Sequence, residues 1–273
     1  ILSESILNDE PDLINSLFNE AFYLINSSNI ENSEEDFYSL IQSDINFNKN
    51  MGQDFAWRFS AILWWRGLCV LGISNVILWL AIWHFGPRDN PYCAIQLVLS
   101  GVYVFVCAYR SIFPRIDLER LVVVDSTLSN IFLGRTAATI AEICFGLQLG
   151  LLVHQLGAHA GLPIVQYAAW AIPIFMTIAQ AFCWHSILTL NHITQAIESL
   201  LWAAGFSWMA ALLTIIALDT NGVVHFLAIT GALGSVAFVA YAVAIDIPLY
   251  LRRFHSGRAL GQNYLSIAHG VKD

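Results

Sequence analysis

The stretch LLWAAGFSWMAALLTIIAL, residues 200–218, contains 19 consecutive residues without a formal charge. A helix rises 1.5 Å per residue, so a run of this length crosses the roughly 30 Å hydrocarbon core of a bilayer. Backbone polar groups must be satisfied inside hydrocarbon, which leaves helices and closed β-barrels as the possible spanning structures. The apolar residues of this run do not alternate with a period of two, so they do not fit a barrel strand. The stretch therefore predicts a transmembrane helix.

Five similar runs occur elsewhere in the 273-residue chain, which is 57% hydrophobic and only 12% charged. Soluble globular domains carry about 25% charged residues, and the low value also excludes a disordered protein or a coiled coil. The sequence predicts an all-α polytopic integral membrane protein, with six transmembrane helices in a domain covering 51–255. Gly, Pro, Asn and Asp mark most of the breaks between runs. The runs lie at about 60–84, 92–109, 136–157, 163–189, 194–218 and 223–250.

Three segments outside the runs are more polar. Residues 1–50 hold ten carboxylates against a single cation, Lys49, and helical apolar spacing predicts a small acidic, soluble, helical N-terminal extension. This extension either docks on the membrane domain or on a protein partner, or remains a solvated arm. LERLVVVDSTLSNIFLG, at 118–134, suggests that the segment 111–133 forms an interfacial helix on the inner surface or a re-entrant turn. Residues 256–273 are predicted to be a cytoplasmic C-terminal tail.

The Lys and Arg residues are divided unequally between the two sides that six spans define. The side that carries both termini receives ten of them, and the opposite side receives only Arg88. Cytoplasmic loops of membrane proteins are enriched in Lys and Arg, so the N- and C-termini are predicted to be cytoplasmic. The ten cations on that side are Lys49, Arg58, Arg110, Arg115, Arg120, Arg135, Arg252, Arg253, Arg258 and Lys272.

Several function classes lack sequence support. There is no basic cluster typical of a nucleic-acid interface, so membrane lipid is the expected partner and nucleic acid is not. No GxSxG, Walker or GxGxxG motif occurs, and no motif identifies a cofactor. Five cysteines lie in apolar stretches without a CxxC pair, which favours buried free thiols. Gly146 and Gly150 form a GxxxG pattern, which is typical of a close helix contact within the bundle or, alternatively, in a dimer.

Ionisable side chains inside the spans are costly, and they mark function more often than other polar residues do. Four are present: Arg66, Glu142, Glu198 and Asp246. With six spans, all four fall in the inner half of the bilayer. Helical spacing also places polar neighbours on the same helix faces as these carboxylates. Those neighbours are Arg135, Thr139, Asn191, Gln195 and Trp202. The pattern predicts a polar pocket that opens toward the cytoplasm and is covered by 111–133.

Paired carboxylates in a dry pocket suit proton transfer, since one can hold a proton while its partner stays ionised. The sequence therefore suggests a membrane-embedded enzyme with Glu142, Glu198 and Asp246 as catalytic groups. Its substrate would be lipid-like or isoprenoid, entering from the bilayer. The residues expected to bind this substrate are Arg66, Arg135, Asn191, Gln195 and Trp202.

Other interpretations of the same residues remain open. The carboxylates could be ordinary ion pairs, for example Glu142 with Arg135. His185 and His192 could join a metal site, although seven residues separate them along one helical stretch. The chain could also be a proton-coupled transporter, or a non-catalytic subunit that docks through its acidic arm.

Overall fold

A computed structural model describes residues 51–86, 90–118, 121–124, 126–259 and 266–267. The predicted N-terminal extension, most of the predicted C-terminal tail and Arg88 lie outside the described residues. The described residues are almost entirely helical, and six helices are long and apolar enough to cross a membrane. The predicted fold class, an all-α integral membrane protein with six spans, is confirmed.

Eight α-helices build the six spans. The fourth span consists of α4 and α5, and the sixth consists of α7, a five-residue π-helical turn and α8. The helices are α1 Met51–Phe85, α2 Pro91–Ile112, α3 Ile131–His159, α4 Pro163–Ala168, α5 Ala171–Thr189, α6 His192–Asp219, α7 Gly222–Tyr241 and α8 Ile247–Ala259.

Asparagine caps fix the start of three helices. The side-chain oxygens of Asn90, Asn130 and Asn191 accept hydrogen bonds from the backbone N–H two residues on, at 2.9, 2.8 and 3.1 Å. Asparagine is a favoured N-cap because it satisfies an orphan N–H of the first turn. The Asn130 cap starts α3 five residues before the predicted 136. The second span is 22 residues long, longer than the predicted 92–109.

Two prolines interrupt the fourth and sixth spans. A proline has no N–H for the carbonyl four residues earlier, and its ring crowds that carbonyl. Pro173 thereby affects Ala169, at the break between α4 and α5. Pro248 affects Ala244, which lies in the π-helical turn Ala242–Asp246. The π-helical turn thereby carries an acidic side chain, Asp246, within the sixth span.

The spans pack into a bundle of α3, α5, α6 and α7, with α8 against α6 and α2 against α3. The apolar core lies between α3, α5 and α6, where Val153, Met176 and Ile216 are fully buried. The outermost helix, α1, packs chiefly on α2, and only 6% of its apolar window is buried. Apart from this contact, α1 presents an apolar surface suited to lipid.

The glycine at position 101 allows α1 to approach α2 closely. A Cβ atom added there would lie 2.6 Å from Cζ2 of Trp79, whose indole N–H donates to the Leu97 carbonyl at 3.0 Å. Small residues at helix crossings allow this approach in membranes. Trp79 therefore docks on a flat surface that Gly101 provides.

We expect Gly101→Ala to lower the free energy of unfolding by about 1–3 kcal/mol, because the added methyl group displaces the Trp79 ring. The measurement is an SDS titration of the purified protein in mixed micelles, followed by circular dichroism. Gly67→Ala on α1 is the matched control, since its Cβ would meet nothing within 4 Å. Equal stability of the two variants would contradict this account of the α1–α2 contact.

Of the two forms predicted for the segment between α2 and α3, an interfacial helix or a re-entrant turn, the described residues do not show the interfacial helix. Within its described residues, a two-residue antiparallel pair, β1 Arg115–Ile116 with β2 Leu121–Val122, is followed by the 3₁₀ turn Thr127–Ser129. Pro114 and the Val-rich run at 122–124 explain the error, because β-branched residues favour extended backbone over helix.

The bundle has one end rich in arginine, where α2 ends, α3 begins and α8 ends. We call this the basic end. Its described arginines include Arg110, Arg115, Arg252 and Arg258. The integral membrane location follows from the six apolar spans. The assignment of the basic end to the cytoplasm stays a prediction.

Candidate functional site

Arg135, Glu142 and Gln180 form a hydrogen-bonded triad between α3 and α5, in which Arg135 and Gln180 are buried and the Glu142 side chain is 23% exposed. The Arg135 Nη2 donates to both oxygens of Glu142, each at 3.0 Å, and to Oε1 of Gln180 at 2.6 Å. The Gln180 amide nitrogen donates in turn to Oε2 of Glu142 at 2.6 Å. Arg135 is 5% exposed and Gln180 is 3% exposed. Each member therefore bonds to the other two, and the triad holds Glu142 in one position.

The arginine of this triad is not fully satisfied. Its Nε is buried and has no hydrogen-bond partner among the described residues. A buried unsatisfied N–H of a charged group is costly, and such groups in native proteins call for an explanation, such as a bound water or ligand. Arg135 therefore keeps a donor available beside the Glu142 carboxylate.

Glu198 is the most buried of the three predicted catalytic carboxylates, at 8% exposure. It lies on the second turn of α6. Gln195, one turn earlier, donates its amide N–H to Oε2 of Glu198. The Cys183 thiol of α5 lies within hydrogen-bonding range of the same carboxyl group. The Glu198 carboxyl group thus lies at the α5–α6 contact, where a neutral amide donates to it.

Asp246 ends the π-helical turn and reaches α6. Its Oδ2 accepts a hydrogen bond from the Ser199 hydroxyl at 2.5 Å, and Ser199 directly follows Glu198 in the chain. Glu198 is thus within electrostatic reach of each of three other predicted groups, Arg135 and Glu142 from α3 and Asp246 from the π-helical turn. We call these four side chains the carboxylate cluster.

Of the five predicted substrate-binding residues, Arg135 and Gln195 contact a carboxylate of the cluster. Arg66 lies apart: it is exposed on α1, which packs chiefly on α2. The Asn191 side chain is used as the N-cap of α6. Sequence position put Arg66 at the same depth as the three carboxylates, whereas helix packing places it on the outermost helix, α1.

Trp202, the fifth of these residues, belongs to an aromatic layer one turn beyond Glu198. Its ring centroid lies 6.4 Å from that of Phe145 on α3, 6.2 Å from Phe206 and 6.4 Å from Phe238 on α7. Aromatic rings at these separations pack favourably. This layer gives the carboxylate cluster an apolar wall.

The two histidines considered for a metal site have different surroundings. His185 Nδ1 lies 3.3 Å from the Thr194 hydroxyl and 3.4 Å from the Thr189 hydroxyl. His192 stacks on Tyr250 with ring centroids 6.5 Å apart. Over the described ranges, no three His, Cys, Asp or Glu side chains are grouped so as to hold a metal ion.

Sequence reasoning did not select Gln180, Cys183 and Ser199, which all contact the cluster. A signal was present for two of them, because Gln180 and Cys183 are three residues apart and therefore share one face of α5. Cys183 is buried, while the other four cysteines are partly exposed. Only for Cys183, then, does the expectation of a buried thiol hold fully.

A shallow recess with about 10 Å³ of water-accessible space lies at the basic end, between the end of α2 and the start of α3. Part of the predicted covering segment 111–133 lines it, but none of the three carboxylates does.

Comparisons of this chain with protein-family models, with curated proteins and with solved structures find no match.

Proposed function

We propose that this protein is a membrane-embedded enzyme that acts on a lipid-like substrate by acid–base chemistry at Glu198 and Asp246. The observation that carries the proposal is that Glu198, buried on α6, lies within electrostatic reach of the Arg135–Glu142 pair of α3 and of Asp246 in the π-helical turn. Ionisable groups inside a membrane are expensive and are characteristic of functional sites. The cluster contains two more acids than bases, which gives it the capacity to hold an exchangeable proton.

The hydrogen bonds suggest different roles for the three acids. Glu142 accepts from Arg135 and Gln180, so we assign it to holding the guanidinium in place rather than to proton transfer. Glu198 accepts from the neutral amide of Gln195, and Asp246 accepts from the neutral hydroxyl of Ser199. A carboxylate has about four lone-pair positions, so both retain capacity to exchange a proton with a substrate.

The position of Asp246 supports entry of the substrate from the bilayer. Asp246 is half-buried, while its neighbours Val243 and Ile245 are 55% and 51% exposed on the outside of the bundle. The π-helical turn that carries Asp246 is a feature frequently found at functional sites. A lipid beside this turn would present its polar group to Asp246 and Glu198, and its chain to the surrounding apolar surface.

The test is turnover in vesicles made from a polar lipid extract, with purified full-length protein and mass spectrometry of the lipids over time. We expect the wild-type protein to convert a lipid species. Glu198→Gln and Asp246→Asn should each slow this conversion at least about a hundredfold, because general acid–base groups contribute at least that factor.

Asp219→Asn is the matched control, since Asp219 is an exposed carboxylate at the opposite end of α6. It should retain the wild-type rate. The enzyme proposal fails if the wild-type protein changes no lipid species, or if Glu198→Gln and Asp246→Asn turn over at the rate of Asp219→Asn. Circular dichroism of each variant verifies that the helices are intact.

A further inference from the structure

Asn75 places an amide side chain at the depth of the bilayer centre. The apolar part of α1 runs from Ile62 to Phe85, and Asn75 lies ten residues before its end. Ten residues of helix rise about 15 Å, which is half the thickness of the roughly 30 Å hydrocarbon core. Asparagine has a single methylene group, so it cannot reach the headgroups from there as a long lysine or arginine side chain does near a helix end. The amide therefore needs a partner within the hydrocarbon.

Among the described residues of its own chain, this amide has no such partner. Asn75 interrupts the apolar surface of α1, where it is exposed and makes no hydrogen bond. Gln148 and Gln180 also lie well inside spans, and both are bonded. The Gln148 amide donates to the Gln96 carbonyl at 3.4 Å, and the Gln180 amide donates to Glu142 at 2.6 Å. Since an unsatisfied polar group in hydrocarbon is costly, Asn75 indicates a contact with something outside this bundle.

The neighbours of Asn75 form an exposed apolar stripe along α1. A helix turns about 100° per residue, so Leu71, Leu78 and Ile82 all lie within about 60° on one side of Asn75. They are 62%, 59% and 48% exposed. The contact with α2 uses the adjacent face, which includes the buried Gly72. We call Leu71, Asn75, Leu78 and Ile82 the Asn75 stripe. Its seven-residue spacings, as between Leu71 and Leu78, are the repeat with which two helices pack side by side.

The chemistry of the Asn75 stripe matches that of an identical stripe. A side-chain amide has both N–H donors and a carbonyl acceptor, so two Asn75 side chains can each donate to the other. Two copies inserted in the same orientation are related by a twofold axis along the membrane normal, and the same surface of each then forms the interface. The two amides consequently meet at the same depth. A second copy supplies the missing partner and covers the exposed leucines together.

We propose that two copies of this protein associate through the Asn75 stripe, with the paired Asn75 amides at the centre of the interface. Hydrogen bonds between polar side chains of neighbouring helices stabilise helix pairs in membranes. The inference goes beyond the proposed enzyme function and stands independently of it. The stripe lies on α1, which packs chiefly on α2, whereas the carboxylate cluster belongs to α3, α6 and the π-helical turn.

The test is Förster resonance energy transfer between full-length copies that carry a donor or an acceptor dye on a C-terminal tag. Both are reconstituted together in phosphatidylcholine vesicles over a range of protein-to-lipid ratios. The wild-type protein should show transfer that rises to a plateau and that excess unlabelled protein abolishes. Asn75→Leu should weaken association about tenfold or more, the factor expected for two lost interhelical hydrogen bonds. Asn75→Gln keeps the amide and should recover part of the affinity.

Two adjacent leucine-sized residues provide the matched control. Leu78 belongs to the stripe, whereas Ile77 lies about 160° around the helix from Asn75, and the two are 59% and 61% exposed. Leu78→Ala should weaken association, and Ile77→Ala should leave it unchanged. Circular dichroism of each variant verifies that the helices are intact.

Three results would overturn the proposal. The first is a wild-type protein that stays monomeric at every protein-to-lipid ratio, which would point to a helix of a different membrane protein as the partner of Asn75. The second is an Asn75→Leu variant that associates as tightly as the wild-type protein. The third is an equal effect of Leu78→Ala and Ile77→Ala. Lipid turnover is not part of this readout, so failure here is distinct from failure of the enzyme proposal.

Discussion

Replacing Arg135 by methionine is expected to lower the free energy of unfolding by about 3–5 kcal/mol, the range measured when one partner of a buried ion pair is removed. Arg135 is 5% exposed and its Nη2 serves three acceptor atoms, two on Glu142 and one on Gln180. Without the guanidinium, the Glu142 carboxylate keeps the hydrogen bond from the Gln180 amide but loses its charge partner. The measurement is an SDS titration in mixed micelles, followed by circular dichroism.

A double variant distinguishes the loss of a charge partner from a loss of packing. Replacing both charged residues, as Arg135→Met with Glu142→Leu, should restore most of the lost stability, because no uncompensated charge then remains. Arg252→Met, at an exposed position on α8, should stay within about 0.5 kcal/mol of the wild-type protein. An Arg135→Met variant as stable as Arg252→Met would show that the triad does not support the bundle.

The second large effect is expected from Gly150→Leu on α3. A Cβ atom at Gly150 would lie 2.9 Å from Cδ of Pro173, and one at Gly146 would lie 3.0 Å from Sδ of Met176. The predicted GxxxG pair therefore packs against α5 within the bundle. A leucine at 150 must push α3 away from α5, and we expect a loss of about 3 kcal/mol, the upper end of the range for overpacked cores.

This separation would extend along α3 to the Arg135–Gln180 contact, so Gly150→Leu should also weaken lipid turnover. Gly234→Leu is the matched control, because Gly234 is exposed on α7 and its Cβ would meet nothing within 4 Å. The control should be at least as stable as the wild-type protein, since leucine is a better helix former than glycine. A stable Gly150→Leu variant would mean that α3 and α5 need no close approach.

The spans were predictable because the bilayer sets their length and polar residues mark their ends. The predicted span 163–189 coincides with Pro163–Thr189, and 194–218 lies within His192–Asp219. The start of α3 was predicted too late because the Asn130 cap lies within a polar segment. The helix break near Pro173 was not predicted. An apolar run has the same composition whether its helix is continuous or interrupted.

The grouping of side chains was predictable only along single helices. The spacing of Arg135 and Glu142 placed them on one face of α3, where they form their ion pair. Gln180 was missed because its role depends on which face of α5 meets α3, and periodicity within one helix does not contain that information. The same limit explains Arg66: its depth was readable from the span, but the peripheral position of α1 was not.

The π-helical turn in the sixth span determines the angular phase of everything that follows it. An α-helix advances about 100° per residue, so a wide turn that accommodates an additional residue rotates the downstream side chains by about that angle relative to a continuous helix. Residues before the turn therefore follow one helical phase and those from Asp246 onward follow another. This offset directs Asp246 to Ser199 and Tyr250 to His192. In a straight helix, the same sequence would aim the acid at a different neighbour.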